Sequence, residues 1–173
     1  MLVGSKELVE KVYRYREING ATLHPMAAYL LLRGMKTLHL RVQRQGESAQ
    51  KIAEYLLEHS KVSAVNYPGL PSHPQHEIAS RQMRGFGGML SFSIGDDFDV
   101  VKKFIPRLQL AHAAANLGSV ETIVGPPATT SHVEVSAEGR AALGIPEGLS
   151  RYSTGIEDVD DLLSDLEQAL DAI

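Results

Sequence analysis

Residues 148–158 form a short segment with one arginine between two glycines: Gly148-Leu149-Ser150-Arg151-Tyr152-Ser153-Thr154-Gly155-Ile156-Glu157-Asp158. An amphipathic run follows directly and extends to Ile173. Its apolar residues recur at the i, i+3, i+4, i+7 spacing of one helical face, and acidic residues occupy its first turn, where the helix dipole favours anions. The sequence therefore predicts a strand that carries Arg151 and passes at once into the last helix.

Arg151 is the candidate binding residue of this stretch. A guanidinium group is a planar fork that pairs with a carboxylate through two parallel hydrogen bonds. Held between a strand and a packed helix, such a fork is suited to gripping the carboxylate of an amino acid. Spacing alone favours an ordinary surface arginine, which is the more common case.

The composition is that of an ordinary globular protein. The chain has 173 residues, of which 43% are hydrophobic and 22% are charged, so it is long enough to bury a sizeable core in one domain. The net charge of −4 without a basic stripe argues against nucleic acid or an anionic membrane as a partner. The absence of cysteine excludes disulfides, zinc–thiolate sites and a cysteine nucleophile. No apolar run could cross a bilayer and no signal-peptide pattern is present, so we expect a cytoplasmic protein.

Helical and strand patterns alternate along the rest of the chain. Predicted helices cover residues 5–19, 76–83, 96–106, 136–144 and 158–173, and residues 25–59 form one long helix or two nearly continuous ones. Gly34 and Gly46 are the points at which that run is expected to kink or break. Predicted strands cover 62–67, 89–94 and the Arg151 segment, with short strands within 108–115 and 121–124. This order predicts an α+β fold in which an antiparallel or mixed sheet carries helices on one face.

Three short patterns resemble known catalytic or binding motifs, but each has a simpler structural explanation. The glycines of 85–88 precede a strand instead of joining a strand to a helix, so they predict a turn and not a dinucleotide site. His73 and His76 lack the second histidine of a zincin, since Ser80 stands there, and no metal ligands are predicted. Residues 131–132 are a serine beside a histidine, but no Gly-x-Ser-x-Gly elbow is present and sequence neighbours do not form a nucleophile–base pair.

Six segments, spread in order over nearly the whole chain, share a further pattern: Leu31-Leu32-Arg33-Gly34-Met35-Lys36-Thr37-Leu38, Tyr67-Pro68-Gly69-Leu70, Gly87-Gly88-Met89-Leu90-Ser91-Phe92, Ala115-Asn116-Leu117-Gly118, Pro127-Ala128-Thr129-Thr130-Ser131-His132 and residues 149–158. Together they resemble the C-terminal part of the Cys/Met-metabolism family of pyridoxal-phosphate (PLP) enzymes. That family includes cystathionine γ-synthase, cystathionine γ-lyase, methionine γ-lyase and the O-acylhomoserine sulfhydrylases.

The resemblance implies a fold and a set of substrate-binding residues. The fold would be the small C-terminal domain of the PLP fold type I, or aspartate-aminotransferase-like, architecture. Arg151 would grip the α-carboxylate of the substrate, and Asn116, where the family commonly has serine, would donate its amide to the same carboxylate. Ala115 stands where enzymes that handle cystathionine often carry a glutamate. Ser131 falls where the family has a hydroxyl residue near the arginine.

The resemblance also implies an activity for a complete protein. PLP would support γ-replacement or γ-elimination on homoserine esters or sulfur amino acids, as in a cystathionine γ-synthase or a sulfhydrylase, with a methionine or cystathionine γ-lyase as the alternative. The family forms its Schiff base on a lysine in a Ser-x-Thr-Lys-type segment, and no lysine of this chain lies in one. The cofactor is therefore expected not to be bound covalently by this chain.

The implied organisation is that of a fragment. Residues 1–20 would be a linker helix from a missing N-terminal PLP-binding domain, and residues 21–173 would be the substrate-side domain. The implied partners are that missing domain and further copies of the protein in a dimer or tetramer. The isolated chain is expected to be inactive. Two other hypotheses remain: a non-catalytic interaction module, which the missing lysine favours for the isolated chain, and an unrelated amino-acid-binding domain.

Overall fold

The computed structural model describes residues 2–173. Seven helices lie within them: α1 (Lys6–Asn19), α2 (Pro25–Met35), α3 (Leu38–Glu58), α4 (His76–Gln82), α5 (Phe98–Phe104), α6 (Ala137–Ala142) and α7 (Val159–Asp171). Five strands lie between them: β1 (Ala64–Asn66), β2 (Met89–Ser93), β3 (His112–Ala113), β4 (Ile123–Gly125) and β5 (Leu149–Ser153). Short 3-10 turns cover Ile105–Arg107 and Pro127–Thr129. No helix among these residues is both long and apolar enough to span a bilayer.

The long helical run breaks at a position that the glycines did not predict. It consists of two helices separated at residues 36–37, while Gly34 and Gly46 both lie inside helices. A glycine within a helix costs about 1 kcal/mol relative to alanine, which packing elsewhere along the helix can offset. The expectation of two nearly continuous helices is thus confirmed, and the expected breaking points are wrong.

The contacts divide the chain into two compact units, one ending at His39 and the other comprising Leu40–Ile173. The first unit contains α1 and α2, and neither helix buries a residue. α1 ends where Gly20 adopts the left-handed conformation with φ of 63°, so this helix nearly matches the predicted range 5–19. The first unit exposes large apolar side chains along both helices, among them Leu8, Val12, Leu31 and Leu32.

The second unit is built on one mixed sheet with the strand order β1-β2-β5-β4-β3. β5 is the central strand and runs antiparallel to both of its neighbours, β2 and β4. β1 is antiparallel to β2, and the edge strand β3 is parallel to β4. The predicted α+β fold with a mixed sheet is confirmed.

The two faces of this sheet have different surroundings. One face carries Leu90, Tyr152 and Val124, which lie side by side across β2, β5 and β4 and are at most 2% exposed. Side chains of three helices complete the core on this face, including Ile52 and Leu56 of α3, Phe104 of α5, and Leu162 and Leu166 of α7. The next row, Ser91–Arg151–Gly125, points to the opposite face because successive residues of a strand alternate. We call this opposite face the open face.

The last helix is anchored at both ends. Asp158 caps it by accepting a hydrogen bond from the Asp160 N–H at 2.9 Å. At its C-terminal end the Lys61 ammonium donates to the carbonyls of Leu170 and Ile173, each at 2.9 Å, where the helix leaves carbonyl groups without intrahelical partners. α7 therefore holds β5 firmly against the core, as the amphipathic pattern predicted.

Two buried tyrosines of the core differ in how their hydroxyl groups are satisfied. Tyr67 is 1% exposed and donates to the Gly87 carbonyl at 2.9 Å. Tyr152 is fully buried, and its hydroxyl has no hydrogen-bond partner among residues 2–173. Burial raises the pKa of Tyr67 to about 12. Burial, with a smaller effect of the Asp165 carboxylate, also raises the pKa of Tyr152, so both hydroxyls are neutral at physiological pH.

This difference predicts opposite outcomes for the same chemical change. Tyr67→Phe should lower the free energy of unfolding by about 1 kcal/mol, because a buried carbonyl loses its donor. Tyr152→Phe should leave it unchanged or raise it, because the hydroxyl that is removed makes no hydrogen bond. Urea denaturation of the two variants beside the wild type measures both values. Equal losses of stability in the two variants would contradict the assignment for Tyr152.

Candidate functional site

Arg151 is directed to the open face by the strand that carries it. Its neighbours Ser150 and Tyr152 are both fully buried on the helical face of β5. Because successive side chains of a strand alternate between faces, burial of these two residues places Arg151 on the open face, where it is half-buried. A shift of β5 by one residue would bury the guanidinium and expose Tyr152, so the register is strongly specified.

The guanidinium of Arg151 is held by the loop that follows β3. Its Nη2 donates to the Ala115 carbonyl at 2.8 Å and to the Asn116 carbonyl at 3.2 Å. Arg151 forms no salt bridge with any carboxylate within residues 2–173. Two backbone carbonyls thus orient one edge of the fork without neutralising its charge, and the fork keeps N–H groups for an anionic ligand.

Gly125 lies directly opposite Arg151 on β4 and lets two other segments approach. A Cβ atom at this position would come within 2.7 Å of the Ala114 carbonyl oxygen and 2.9 Å of the Thr130 methyl group. Glycine is therefore required for the backbone after β3 and the turn after β4 to pack beside Arg151. The role of this glycine was not predicted from the sequence, because close approach between distant segments leaves no local pattern.

A second set of hydrogen bonds connects the loop over residues 115–122 to the turn after β5. The half-buried Glu157 carboxylate accepts from the Thr122 N–H at 2.6 Å and from the Thr122 hydroxyl at 2.8 Å. The same hydroxyl oxygen accepts from the Gly155 N–H at 2.9 Å. Glu157 lies within the family-like segment 149–158, but no role was predicted for it from the sequence.

Three of the four predicted site residues lie together, and the fourth, Ser131, is not hydrogen-bonded to them. Arg151, Ala115 and Asn116 come together through the hydrogen bonds just described. The side-chain amide of Asn116 is exposed and has no hydrogen-bond partner among residues 2–173. The Ser131 hydroxyl is exposed and lies 2.9 Å from Nδ1 of His132, and no hydrogen bond within the described chain joins it to Arg151. Thr130, one residue earlier, approaches Gly125 instead.

A cavity of about 460 Å³ lies beside this group, between α5 and the ends of β3 and β4. Ala115 and Gly125 line it, together with apolar side chains such as Val101 and Ile105. Arg151 is not among the lining residues, so the cavity adjoins the loop and the strand that frame the guanidinium rather than the guanidinium itself.

The described residues contain no group of metal ligands, and two of the lysines already have polar partners. Within residues 2–173 no three His, Asp or Glu side chains are grouped so that they could hold a metal ion. Lys61 is committed to the end of α7, and Lys102 forms a 2.7 Å salt bridge with Asp99 on α5. Neither lysine is hydrogen-bonded to Arg151, although Lys102 lines the cavity beside Ala115 and Gly125.

Comparison with known proteins decides the family. The sequence model of the family described as "Cys/Met metabolism PLP-dependent enzyme" matches residues 1–171. This chain belongs to that family. Chloroplastic cystathionine γ-synthase 1 of Arabidopsis thaliana is 48% identical over 172 residues, and L-methionine γ-lyase of Fusobacterium nucleatum subsp. polymorphum is 41% identical over 175 residues.

A solved structure supports the fold in the same way. The cystathionine γ-synthase of Xanthomonas oryzae pv. oryzae in complex with cystathionine matches 97% of this chain with a TM-score of 0.91 and 40% sequence identity. The predicted PLP fold type I architecture is thereby confirmed. The chain spans 43% of that protein, 31% of the Arabidopsis enzyme and 44% of the Fusobacterium enzyme. It therefore corresponds to less than half the length of these members of its family.

The contacts of Glu157 generate a stability prediction. Glu157→Gln and Thr122→Val should each lower the free energy of unfolding by about 1–3 kcal/mol, because the first removes the charge that accepts from Thr122 and the second removes the hydroxyl that donates to that charge. The double variant should lose less than the sum of the two, since both changes break the same interaction. Urea denaturation of all four proteins measures this coupling. Additive losses would mean that the two side chains act independently.

Proposed function

We propose that this chain is the substrate-binding, C-terminal part of a PLP-dependent enzyme that catalyses γ-replacement or γ-elimination on homoserine esters or sulfur amino acids. The observation that carries this proposal is the presentation of Arg151. Its guanidinium emerges from the central strand on the open face, is oriented by two carbonyls, and forms no salt bridge within residues 2–173. Membership of the family adds the class of chemistry to this geometry.

Arg151 is proposed to bind the α-carboxylate of the substrate. A guanidinium can hold a carboxylate through two parallel hydrogen bonds, which fixes the direction of the substrate as well as its position. Holding the substrate in one orientation lowers the barrier of the following step without new covalent chemistry. In PLP enzymes the cofactor serves as the electron sink, whereas the protein supplies binding and orientation. Arg151 belongs to the second of these contributions.

Three neighbouring positions are proposed to complete the substrate side. The backbone carbonyl of Asn116 accepts from Arg151, and the exposed side-chain amide of Asn116 is suited to donating to the same carboxylate. Ala115 contributes a methyl group and no charge, so it offers no acidic contact to a distal amine of the substrate. Ser131 is proposed to face the substrate from the turn after β4, and this assignment rests on the family resemblance alone.

The cofactor and the rest of the cleft are proposed to come from an N-terminal PLP-binding domain. The supporting observations are that the chain spans 31% of the Arabidopsis relative and 43% of the Xanthomonas one, and that none of its lysines lies in a Ser-x-Thr-Lys-type segment. Residues 1–20 are proposed as the linker to that domain, and residues 21–173 as the substrate-side domain. The exposed apolar side chains of α1 and α2 suit a surface covered by that domain or by a second copy in a dimer or tetramer.

Among the reactions of the family, we favour γ-replacement of the cystathionine γ-synthase type. The 48% identity to a cystathionine γ-synthase and the match to one solved with cystathionine support this choice. The 41% identity to a methionine γ-lyase keeps γ-elimination as the alternative. Elimination releases ammonia and replacement retains the amino group, so an ammonia assay on the complete protein separates them. The cytoplasmic location stays a prediction from the sequence.

The role of Arg151 can be tested in the complete protein, in which this chain is joined to the cofactor-binding portion. Arg151→Ala should raise KM for the amino-acid substrate by about 100-fold, because hydrogen bonds to a charged group are worth roughly 1.5–3 kcal/mol each. Arg151→Lys should recover only part of this loss, because an ammonium lacks the planar fork. Steady-state kinetics measure both effects.

Arg107 provides the matched control for this experiment. Its carbonyl accepts from Gln168 of α7, which places it on the helical side of the sheet, away from the open face. Arg107→Ala should leave KM within twofold of the wild type. An Arg151→Ala enzyme with wild-type kinetics would refute the proposed role.

The isolated chain offers a second test, because it is proposed to lack the cofactor-binding residues. Titration of residues 1–173 with PLP should give no protein-bound absorbance band, and the same titration of the complete protein should give one. A strong band from the isolated chain would contradict the proposal. A complete protein that binds PLP but turns over neither homoserine esters nor sulfur amino acids would favour a non-catalytic module.

A further inference from the structure

The loop that holds Arg151 is itself held from outside by side chains of two other elements. It begins at Ala115, just after β3, and covers part of the open face next to β5. Ser153 reaches this loop from β5 and Gln45 reaches it from α3. Both side chains belong to the second unit of the chain, Leu40–Ile173. Neither residue was identified from the sequence, and neither touches the guanidinium of Arg151.

Ser153 lies beneath the loop. It is two residues beyond Arg151 on β5, so the two side chains emerge on the same face of the sheet. Ser153 is 4% exposed, and its hydroxyl oxygen accepts a hydrogen bond from the Gly118 N–H at 3.0 Å. Gly118 adopts the left-handed conformation with φ of 75°, which glycine favours. This contact holds the loop at the residue where it turns.

Gln45 holds the loop at the following residue. Its side-chain amide donates to the Ser119 carbonyl at 2.8 Å, and the residue is 8% exposed. The position of Gln45 is itself tightly defined. A Cβ atom on Gly88 would come within 2.8 Å of the Gln45 Cβ, so the backbone before β2 packs directly against it. A buried amide with a defined position and one good acceptor is suited to orienting a loop.

These contacts bear on the direction of the Arg151 fork. The guanidinium is planar and rigid, so the two carbonyls that accept from Nη2 also set the directions of its other N–H groups. Those carbonyls, of Ala115 and Asn116, lie two to four residues before the points that Ser153 and Gln45 hold. A loop released at Gly118 and Ser119 would let both carbonyls move, and the fork would lose its fixed orientation.

We propose that Ser153 and Gln45 are positioning residues for substrate binding, which act by holding the loop that orients Arg151. This inference rests on the proposed role of Arg151 in gripping the substrate carboxylate. Neither residue is a catalytic residue, since each acts through the backbone of residues 115–119. Loss of either should weaken binding of the amino-acid substrate and leave the chemical step nearly intact.

The test uses the complete, PLP-loaded protein and its amino-acid substrate. Ser153→Ala and Gln45→Met each remove one hydrogen bond to the loop with little change in buried volume. Each should raise KM about fivefold to tenfold, in keeping with the loss of one buried hydrogen bond, and should change kcat by less than twofold. Ser153→Thr keeps the hydroxyl and should restore KM to within about twofold of the wild type.

Ser150→Ala is the matched control. Ser150 lies on the same strand but on the helical face, is fully buried, and its hydroxyl has no hydrogen-bond partner among residues 2–173. Loss of this hydroxyl should leave KM unchanged. The comparison shows whether KM depends on the contact with Gly118 or on the loss of any serine hydroxyl from β5.

A double variant distinguishes positioning from a general structural role. In an Arg151→Ala background, Ser153→Ala should raise KM no further, because the group that it orients is gone. An additional fivefold rise in that background would overturn the proposal, as would a Ser153→Ala enzyme with unchanged KM. If Gln45→Met does not fold, Gln45→Glu, which keeps the size of the side chain but loses the donating amide, takes its place with at least the same expected rise.

Failure of the underlying function has a different signature. In that case the wild-type protein turns over neither homoserine esters nor sulfur amino acids, or Arg151→Ala leaves KM unchanged. An active wild-type enzyme with a large effect of Arg151→Ala and no effect of Ser153→Ala or Gln45→Met overturns the positioning role alone.

Discussion

The alternation of side chains along β5 is the constraint on which the rest of the second unit depends. Tyr152 fills the core between β2, β4 and three helices, and its neighbour Arg151 must then point to the opposite face. β5 thus contributes an apolar side chain to the core and a charged side chain to the open face. α7 secures this arrangement, because its apolar stripe packs against the face that carries Tyr152.

The open face is organised by backbone contacts more than by charges. Arg151 is oriented by two backbone carbonyls, and the Ser153 hydroxyl accepts from a backbone N–H of the same loop. Gly125 contributes by lacking a side chain. A neutral framework of this kind fixes the direction of a guanidinium without cancelling its charge, which is what binding of an anionic ligand requires. The same framework explains why residues far apart in sequence, such as Gln45 and Ser119, bear on one small site.

Membership of the Cys/Met metabolism PLP-dependent enzyme family gives this face its proposed partner. If this face grips an amino acid as proposed, the cofactor would be held by a second surface. The chain spans less than half the length of these relatives, and α1 and α2 expose apolar residues. Both observations agree with a substrate side and a cofactor side on different parts of the protein. The chemistry and the orientation of the substrate would then come from opposite sides of one cleft.

The sequence by itself determined the class of fold, the strand that carries Arg151, the amphipathic last helix and the family, because each of these has a local pattern or a chain of ordered motifs. It also predicted Ala115 and Asn116 beside Arg151, through resemblance and not through spacing. Only the tertiary structure decided that Gly125, Glu157, Ser153 and Gln45 shape the surroundings of the guanidinium, and that the helical run breaks after Met35 instead of at a glycine. Those roles depend on contacts between segments tens of residues apart, and no periodicity or spacing within a segment records such contacts.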